Sequence, residues 1–120
     1  RKGQCIKGSK VLVLGITFKE NCPDVRNTKI VDIYHTLEEY TKNITVYDPW
    51  ANADKVEHEY GVQLTSSSLE SLKGKFNAVI LAVAHKEFVS LDIRSFLKNE
   101  NGVVYDVKGI LDREMIDGRL

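Results

Sequence analysis

The sequence predicts an α/β protein with a doubly wound, mostly parallel sheet of about five strands. Short apolar runs rich in β-branched residues alternate with segments of helical periodicity along the 120 residues. Most of the apolar runs are continuous, as expected of parallel strands that are buried on both faces. The connections are long enough for right-handed crossovers, so helices should cover both faces of the sheet in three αβα layers.

Each element rests on a local pattern. Strands are predicted at residues 10–16, 44–47, 62–64, 78–83 and 103–107. Helices are predicted at residues 27–42, 52–61, 68–73 and 91–98, and residues 111–120 form a short helix or an irregular tail. The first helix should begin at a cap formed by Asn27 or Thr28, and Gly61 should close the second. Asn101 and Gly102 form a predicted turn. The order of elements indicates a Rossmann-like domain.

Size and composition favour a single domain. Hydrophobic residues make up 42% of the chain, enough for one core. The 17 basic and 17 acidic residues argue against general nucleic-acid binding.

No apolar run in the sequence approaches the roughly 20 consecutive residues needed to span a bilayer, and the start does not have the pattern of a signal peptide. The first residue is not methionine, so we expect residues 1–120 to be a piece of a longer protein.

The two cysteines, Cys5 and Cys22, form no CxxC pair and no zinc-ligand spacing, so we expect a reduced compartment and no metal site. Cys22 is either a thiol in a turn or a reactive group, and no partner that would stabilise its thiolate can be placed from sequence.

Ligands of doubly wound sheets bind beyond the carboxyl ends of the strands. Four places qualify: the loop after Ile16, the Asp48-Pro49-Trp50 turn, His85-Lys86 and Lys108-Gly109. If the strands at residues 10–16 and 78–83 are neighbours, the first and third places flank the reversal of strand order.

The loop after the first strand lacks a dinucleotide fingerprint. That fingerprint needs three glycines, and only Gly15 is present. The loop instead carries Lys19 and Arg26, whose charges suit phosphates. The alternative is that both are solvated cations paired with Glu20 and Asp24. Asp24 should cap the following helix or orient Arg26 rather than act in catalysis.

Four further positions have open interpretations. Asp48 should form an Asx-type turn before Pro49 rather than bind a ribose. Trp50 either covers the sheet edge or belongs to an interface. His85 lies near the ligand edge and could act as a base, but no acidic partner is visible in the sequence. His35 and His58 are interpreted as surface or core-edge residues.

The segments just discussed carry a family resemblance. The sequence resembles the C-terminal domain of the UDP-glucose/GDP-mannose dehydrogenases in four stretches: "GITFKENCPDVRNTKIVDI", "VYDPWA", "AVILAVAHKEF" and "VVYDVKGIL". The G-x-T-F-K…D-x-R pattern is the most specific part. The stretches "NCPDVRNTK" and "YDPWA" are most similar to those of the branch that acts on UDP-N-acetylglucosamine and UDP-N-acetylgalactosamine.

The resemblance implies a role for each loop residue. Phe18 and Lys19 fall where the family contacts its UDP-sugar substrate, and Lys108 falls where some relatives place a substrate-binding arginine. Arg26 falls where the family reaches NAD, which is bound mainly by an N-terminal domain absent here. The catalytic cysteine also lies before this region, so Cys5 and Cys22 are not the nucleophile and this piece alone should be inactive.

The resemblance further implies an enzyme that oxidises C6 of a UDP-hexose or UDP-N-acetylhexosamine to the uronic acid for surface polysaccharides. It implies a cytoplasmic homo-oligomer whose partners are the UDP-sugar and the remaining domains of the same enzyme, not nucleic acid or membrane. The alternative is a non-catalytic nucleotide- or anion-binding domain, or a dimerisation domain.

Overall fold

The fold is that of a computed structural model, which describes residues 9–17, 21, 23–25, 29–83, 85–98, 102–106 and 118–119. The strands in these ranges are β1 (Val11–Leu14), β2 (Ile44–Tyr47), β3 (Ala78–Leu81), β4 (Val103–Asp106) and β5 (Gly118–Arg119). The α-helices are α1 (Ile30–Glu38), α2 (Ala53–Tyr60), α3 (Leu69–Leu72) and α4 (Lys86–Val89), and a 3₁₀ helix spans Ile93–Phe96.

The described strands form one parallel sheet in the order β2-β1-β3-β4-β5. Val11 is in register with Ile44 on one side and with Ala78 on the other. Strand order reverses between β1 and β3, which confirms the predicted doubly wound sheet. The strands at residues 10–16 and 78–83, whose pairing the sequence left open, are neighbours. The loop after β1 and the segment after β3 therefore lie on either side of this reversal.

Two apolar clusters cover the two faces of the sheet. One joins alternate residues of β1, β2 and β3 to α1 and α2, and includes Val11, Val13, Val46, Ile80, Ile30, Val31 and Val56. The other joins the opposite residues to α3, α4 and the 3₁₀ helix, and includes Leu12, Leu14, Val79, Leu81, Leu72, Phe88 and Phe96. All four residues of β1 are buried, as a central strand of a three-layer domain requires.

Local chemistry sets the helix ends. The side chain of Asn52 accepts a hydrogen bond from Lys55 N–H and starts α2, and Gly61 ends it with a φ of 71°. Ser68 starts α3 by accepting from Ser71 N–H. These caps agree with the helices predicted at residues 52–61 and 68–73.

Several predicted boundaries are wrong. Residues 62–64 form no strand, because Leu64 makes only an isolated parallel bridge to Val46. The helix predicted at 91–98 is replaced by α4 and the 3₁₀ helix, since helical structure begins directly after His85. The tail contributes β5 beside β4, and residues 107–117 lie outside the described chain.

The start of α1 also differs from the prediction. Lys29 occupies the N-cap position and makes no side-chain capping bond. Asn27, Thr28 and the turn residue Asn101 lie outside the described residues.

Gly15 lets β1 end close against β3. Its φ is 99°, in the region that favours glycine, and a Cβ built there would lie 2.6 Å from Val83 Cβ. Its N–H donates to Tyr47 O at 2.9 Å, while Ala82 and Val83 both donate to Leu14 O. The glycine therefore serves strand packing.

Replacing Gly15 with alanine should lower the free energy of unfolding by about 3 kcal/mol, because it adds a clash with Val83 to backbone strain. Gly74→Ala is the control. Gly74 has a φ of 72° and nothing lies within 4 Å of a built Cβ, so a loss of about 1 kcal/mol is expected. Urea unfolding followed by circular dichroism measures both, and equal losses would contradict the close approach to Val83.

Candidate functional site

The carboxyl edge of the sheet is organised by one buried carboxylate, that of Asp48. Asp48 follows β2, and its Oδ2 accepts hydrogen bonds from the backbone N–H of Ile16 at 2.7 Å and of Thr17 at 3.2 Å. Its Oδ1 accepts from Trp50 N–H at 2.7 Å and from Ala51 N–H at 3.0 Å. These bonds confirm the predicted Asx-type turn and also join that turn to the end of β1.

His85, which follows β3, completes this arrangement. Its Nε2 lies 3.0 Å from Asp48 Oδ2 and 3.1 Å from Thr17 Oγ1, and the ring is fully buried. Its Nδ1 accepts a hydrogen bond from Asn21 N–H at 2.8 Å. Because Nδ1 must offer a lone pair to Asn21, the neutral ring carries its proton on Nε2 and donates it towards Asp48. We call Thr17, Asn21, Asp48 and His85 the rim network.

Asn21 ties the loop after β1 to the start of α4. Its φ of 55° is a left-handed conformation that asparagine tolerates better than most residues. Its Oδ1 accepts from Lys86 N–H at 2.7 Å, so the loop side chain satisfies a backbone donor of the first turn of α4. The loop after β1 is thus held at Thr17 and again at Asn21.

Trp50 covers the rim network on one side. Its ring stacks on His85 with centroids 5.9 Å apart and an interplanar angle of 25°. Its Nε1 donates to Glu87 Oε1 at 2.8 Å, and the ammonium of Lys86 lies 5.5 Å from the ring centroid. Of the two interpretations of Trp50, the structure favours a cover of the sheet edge.

The network keeps Asp48 ionised. Burial by itself raises the pKa of this carboxyl, but the hydrogen bonds that it accepts from His85 and from the backbone N–H groups of Ile16 and Trp50 outweigh burial. The pKa of Asp48 is therefore below the ordinary value of 3.8.

A second attachment holds the same loop further along. The Tyr60 hydroxyl at the end of α2 donates a hydrogen bond to Val25 O, and the Val25 side chain is buried in the core. Asp24 is half-buried beside it. The loop between β1 and α1 is thus fixed by polar contacts at three described places.

The residues predicted from the sequence to contact ligands, Phe18, Lys19, Arg26 and Lys108, lie outside the described residues. Cys5 and Cys22 do as well. In the sequence, Lys19 stands between the anchored Thr17 and Asn21, and Arg26 follows the anchored Val25 directly.

The described edge does not fit the pyrophosphate of a dinucleotide. In dinucleotide-binding domains, backbone N–H groups after the first strand face that pyrophosphate. Here the N–H groups of Ile16 and Thr17 donate to Asp48, and the space at Gly15 is filled by Val83. The side chain of Asp48 therefore takes donors that a cofactor phosphate would use elsewhere.

Metal-binding clusters and membrane-spanning helices are both absent from the described ranges. No group of three His, Cys, Asp or Glu residues there could hold a metal ion. No helix in those ranges has both the length and the apolar character needed to cross a bilayer.

Sequence reasoning placed His85 and Asp48 at the correct edge but missed their contact. The available signal was that each residue comes shortly after the end of a strand adjacent to β1, Asp48 after β2 on one side and His85 after β3 on the other. The role of Asn21 had no sequence signal beyond the tolerance of asparagine for turns. His35, exposed and 2.8 Å from Glu38, is a surface residue as predicted.

A parallel sheet with its order reversal beside β1 and its polar network at the carboxyl edge belongs to the doubly wound α/β class, whose ligands bind at that edge. The model of the UDP-glucose/GDP-mannose dehydrogenase family, UDP binding domain, matches residues 12–113. The chain belongs to this family.

Named relatives agree with this assignment. The chain is 43% identical over 123 residues to a UDP-N-acetyl-D-glucosamine 6-dehydrogenase of Salmonella typhi, covering 100% of this chain and 28% of the relative. It is 45% identical over 118 residues to a protein of the same name from Pseudomonas aeruginosa, covering 96% and 27%. The chain thus spans little more than a quarter of these relatives.

Solved structures show the same fold. A structure of NDP-N-acetyl-D-galactosaminuronic acid dehydrogenase from Methanosarcina mazei Go1 superposes with a TM-score of 0.79 at 21% identity. The match covers 97% of this chain and 25% of that one. It confirms the three-layer α/β architecture predicted from the sequence.

Asp48→Asn should lower the free energy of unfolding by about 3 kcal/mol at pH 7, because an amide NH₂ would face a backbone donor that now meets a carboxylate oxygen. Asp92→Asn is the control, since Asp92 is exposed and makes no capping bond, and it should change stability by less than about 0.5 kcal/mol. Urea unfolding measures both. Equal effects would contradict the central role of Asp48.

The stability difference between the unmodified protein and the Asp48→Asn variant should also depend on pH. The pKa of Asp48 is lower in the folded protein than the ordinary 3.8, so its stabilisation is present in full above that value and is lost as pH falls through the folded pKa. Urea unfolding between about pH 2.5 and 7 should show a constant gap that narrows only below the ordinary pKa. A gap that widens on acidification would contradict the pKa direction.

In long-range ¹H–¹⁵N NMR spectra, the neutral form of the His85 ring should carry its proton on Nε2, because Asn21 N–H occupies Nδ1. His58, exposed on α2, is the comparison and should show the averaged signals of a solvated ring. A proton on Nδ1 of His85 would mean that Asn21 does not donate to this ring.

Proposed function

We propose that this chain is the nucleotide-sugar-binding domain of a longer NAD-dependent dehydrogenase, which oxidises C6 of a UDP-hexose or UDP-N-acetylhexosamine to the uronic acid. The chain belongs to the UDP-glucose/GDP-mannose dehydrogenase family. The observation that carries the proposal is that the N–H groups of Ile16 and Thr17 already donate hydrogen bonds to Asp48. A ligand phosphate at this edge must then be held by side chains, and the adjoining loop supplies long cations.

Lys19, Phe18 and Lys108 are the proposed contacts to the substrate. A lysine ammonium is a compact charge that suits a diphosphate, and Phe18 offers an apolar surface beside it. The anchors at Thr17 and Asn21 support this role for Phe18 and Lys19, because only three residues separate the two anchors. In the sequence, Lys108 comes two residues after the end of β4, and it is proposed to add a second charge to the site.

Arg26 is the proposed contact to NAD, and the rest of the cofactor site belongs to residues outside this chain. The poor fit of the carboxyl edge to a dinucleotide supports this division. NAD supplies the hydride acceptor for oxidation at C6. This chain contributes binding and orientation of the sugar nucleotide, because hydride transfer requires C6 close to the nicotinamide.

The nucleophilic cysteine of the reaction is also proposed to lie outside residues 1–120, so the piece alone does not turn over substrate. The 43% and 45% identity to UDP-N-acetyl-D-glucosamine 6-dehydrogenases favours a UDP-N-acetylhexosamine as the substrate. The 37% identity to Protein CapL of Staphylococcus aureus supports a place in surface-polysaccharide synthesis. The assembled enzyme is proposed to be a cytoplasmic homo-oligomer.

Lys19→Ala in the full-length enzyme should lower kcat/KM for the UDP-sugar about 100-fold, because a charge-assisted contact to the diphosphate is lost. Arg26→Ala should instead raise KM for NAD about tenfold or more, with a smaller effect on the UDP-sugar. Steady-state kinetics with each ligand varied in turn separates the two effects.

Lys55→Ala is the matched control, because Lys55 is an exposed cation on α2 away from the rim network, and it should leave both parameters unchanged. Equal, small effects of Lys19→Ala and Arg26→Ala on both ligands would reject these residue assignments. An unmodified enzyme without activity towards any nucleotide sugar would reject the function.

A further inference from the structure

The edge of the sheet opposite the rim network, where the strands begin, has a cavity of its own. It measures about 290 Å³ and is lined by three lysines, Lys10, Lys42 and Lys75. Three hydroxyl-bearing residues also line it, Thr45, Thr65 and Ser67. Two of its apolar lining residues, Leu72 and Phe76, belong to the cluster on the α3 side of the sheet. Nothing in the proposed reaction uses this cavity.

The register of the sheet explains why the lysines meet. Val11 is level with Ile44 and with Ala78, so the segments that lead into β1, β2 and β3 end at the same edge. Lys10 directly precedes β1, and Lys42 and Lys75 stand two and three residues before their strands. Three separate segments thus each bring one cation to one concave site.

The cavity concentrates positive charge in a chain whose net charge is zero. In the part of the chain that the structure describes, no carboxylate lines the cavity, and Lys10, Lys42 and Lys75 form no ion pair. Glu70 on α3 is engaged by Lys73, with Nζ 3.1 Å from Oε2. The three ammonium groups therefore lack an internal counter-charge from the described residues.

We propose that this cavity binds the phosphate or diphosphate group of a small ligand, at a site separate from the carboxyl edge. A phosphate group has several acceptor oxygens and up to two charges, which ammonium and hydroxyl donors together can satisfy. The volume is near the lower end of small-ligand sites and suits such a compact group. The four residues of β1 extend over about 13 Å, which separates a phosphate group bound here from the rim network.

Lysine footprinting of the full-length protein tests the proposal residue by residue. The protein is briefly acetylated with and without inorganic phosphate, pyrophosphate or UDP, and modification at each lysine is quantified by mass spectrometry. At a ligand concentration about ten times the dissociation constant, Lys10, Lys42 and Lys75 should be protected about tenfold. Protection by pyrophosphate would show that the phosphate group is sufficient for binding. Protection by UDP but not by pyrophosphate or inorganic phosphate would show that the bound phosphate group belongs to a nucleotide.

Lys55 and Lys98 are the internal controls, since both are exposed and neither lines the cavity. They should be modified equally with and without ligand. The double variant Lys42→Gln/Lys75→Gln should remove the protection of Lys10 and leave dehydrogenase activity unchanged, which separates this site from the one proposed at the carboxyl edge.

Three results would overturn the proposal. One is the absence of protection by all three phosphate compounds. Another is equal protection of Lys55 and Lys98, which would mean diffuse attraction to a charged surface. The third is protection by an acidic peptide such as polyaspartate but not by any phosphate compound, which would assign the cavity to a protein partner.

Discussion

The carboxylate of Asp48 is the contact on which the carboxyl edge of this domain depends. It accepts hydrogen bonds from backbone N–H groups just after β1 and in its own turn. It also contacts His85, which comes after β3. Three strands that are neighbours in the sheet are thereby linked through one side chain. A buried carboxylate is stable there because its donors are numerous and already oriented by the backbone.

The surroundings of Asp48 are arranged to keep it satisfied. His85 presents a donor to the carboxylate because its other nitrogen is taken by Asn21, and Trp50 stacks over the ring. The loop after β1 is attached to this group through Thr17 and Asn21, so its path depends on contacts that no ligand provides. The same loop is where the sequence places the cations of the proposed substrate site.

The fold was predictable because strong, local signals agree with one another. The apolar runs at β1 and β3 and the helical stripe of α1 required no long-range information. The strand predicted at residues 62–64 was wrong, because a three-residue apolar pattern does not reveal whether a neighbouring strand lies close enough to pair with it. The helix after His85 was missed because its start is stabilised by Asn21, which is 65 residues away in sequence.

The location of the rim network was predictable from the sequence, but its contacts were not. The rule for doubly wound sheets located the carboxyl edge, and the resemblance supplied roles for residues that lie outside the described ranges. The pairing of Asp48 with His85 depends on which strands flank β1, which the sequence left conditional. Since Asp48 accepts the main-chain donors of Ile16 and Thr17, substitutions in the proposed substrate site can change the sugar preference proposed for it while these backbone contacts persist.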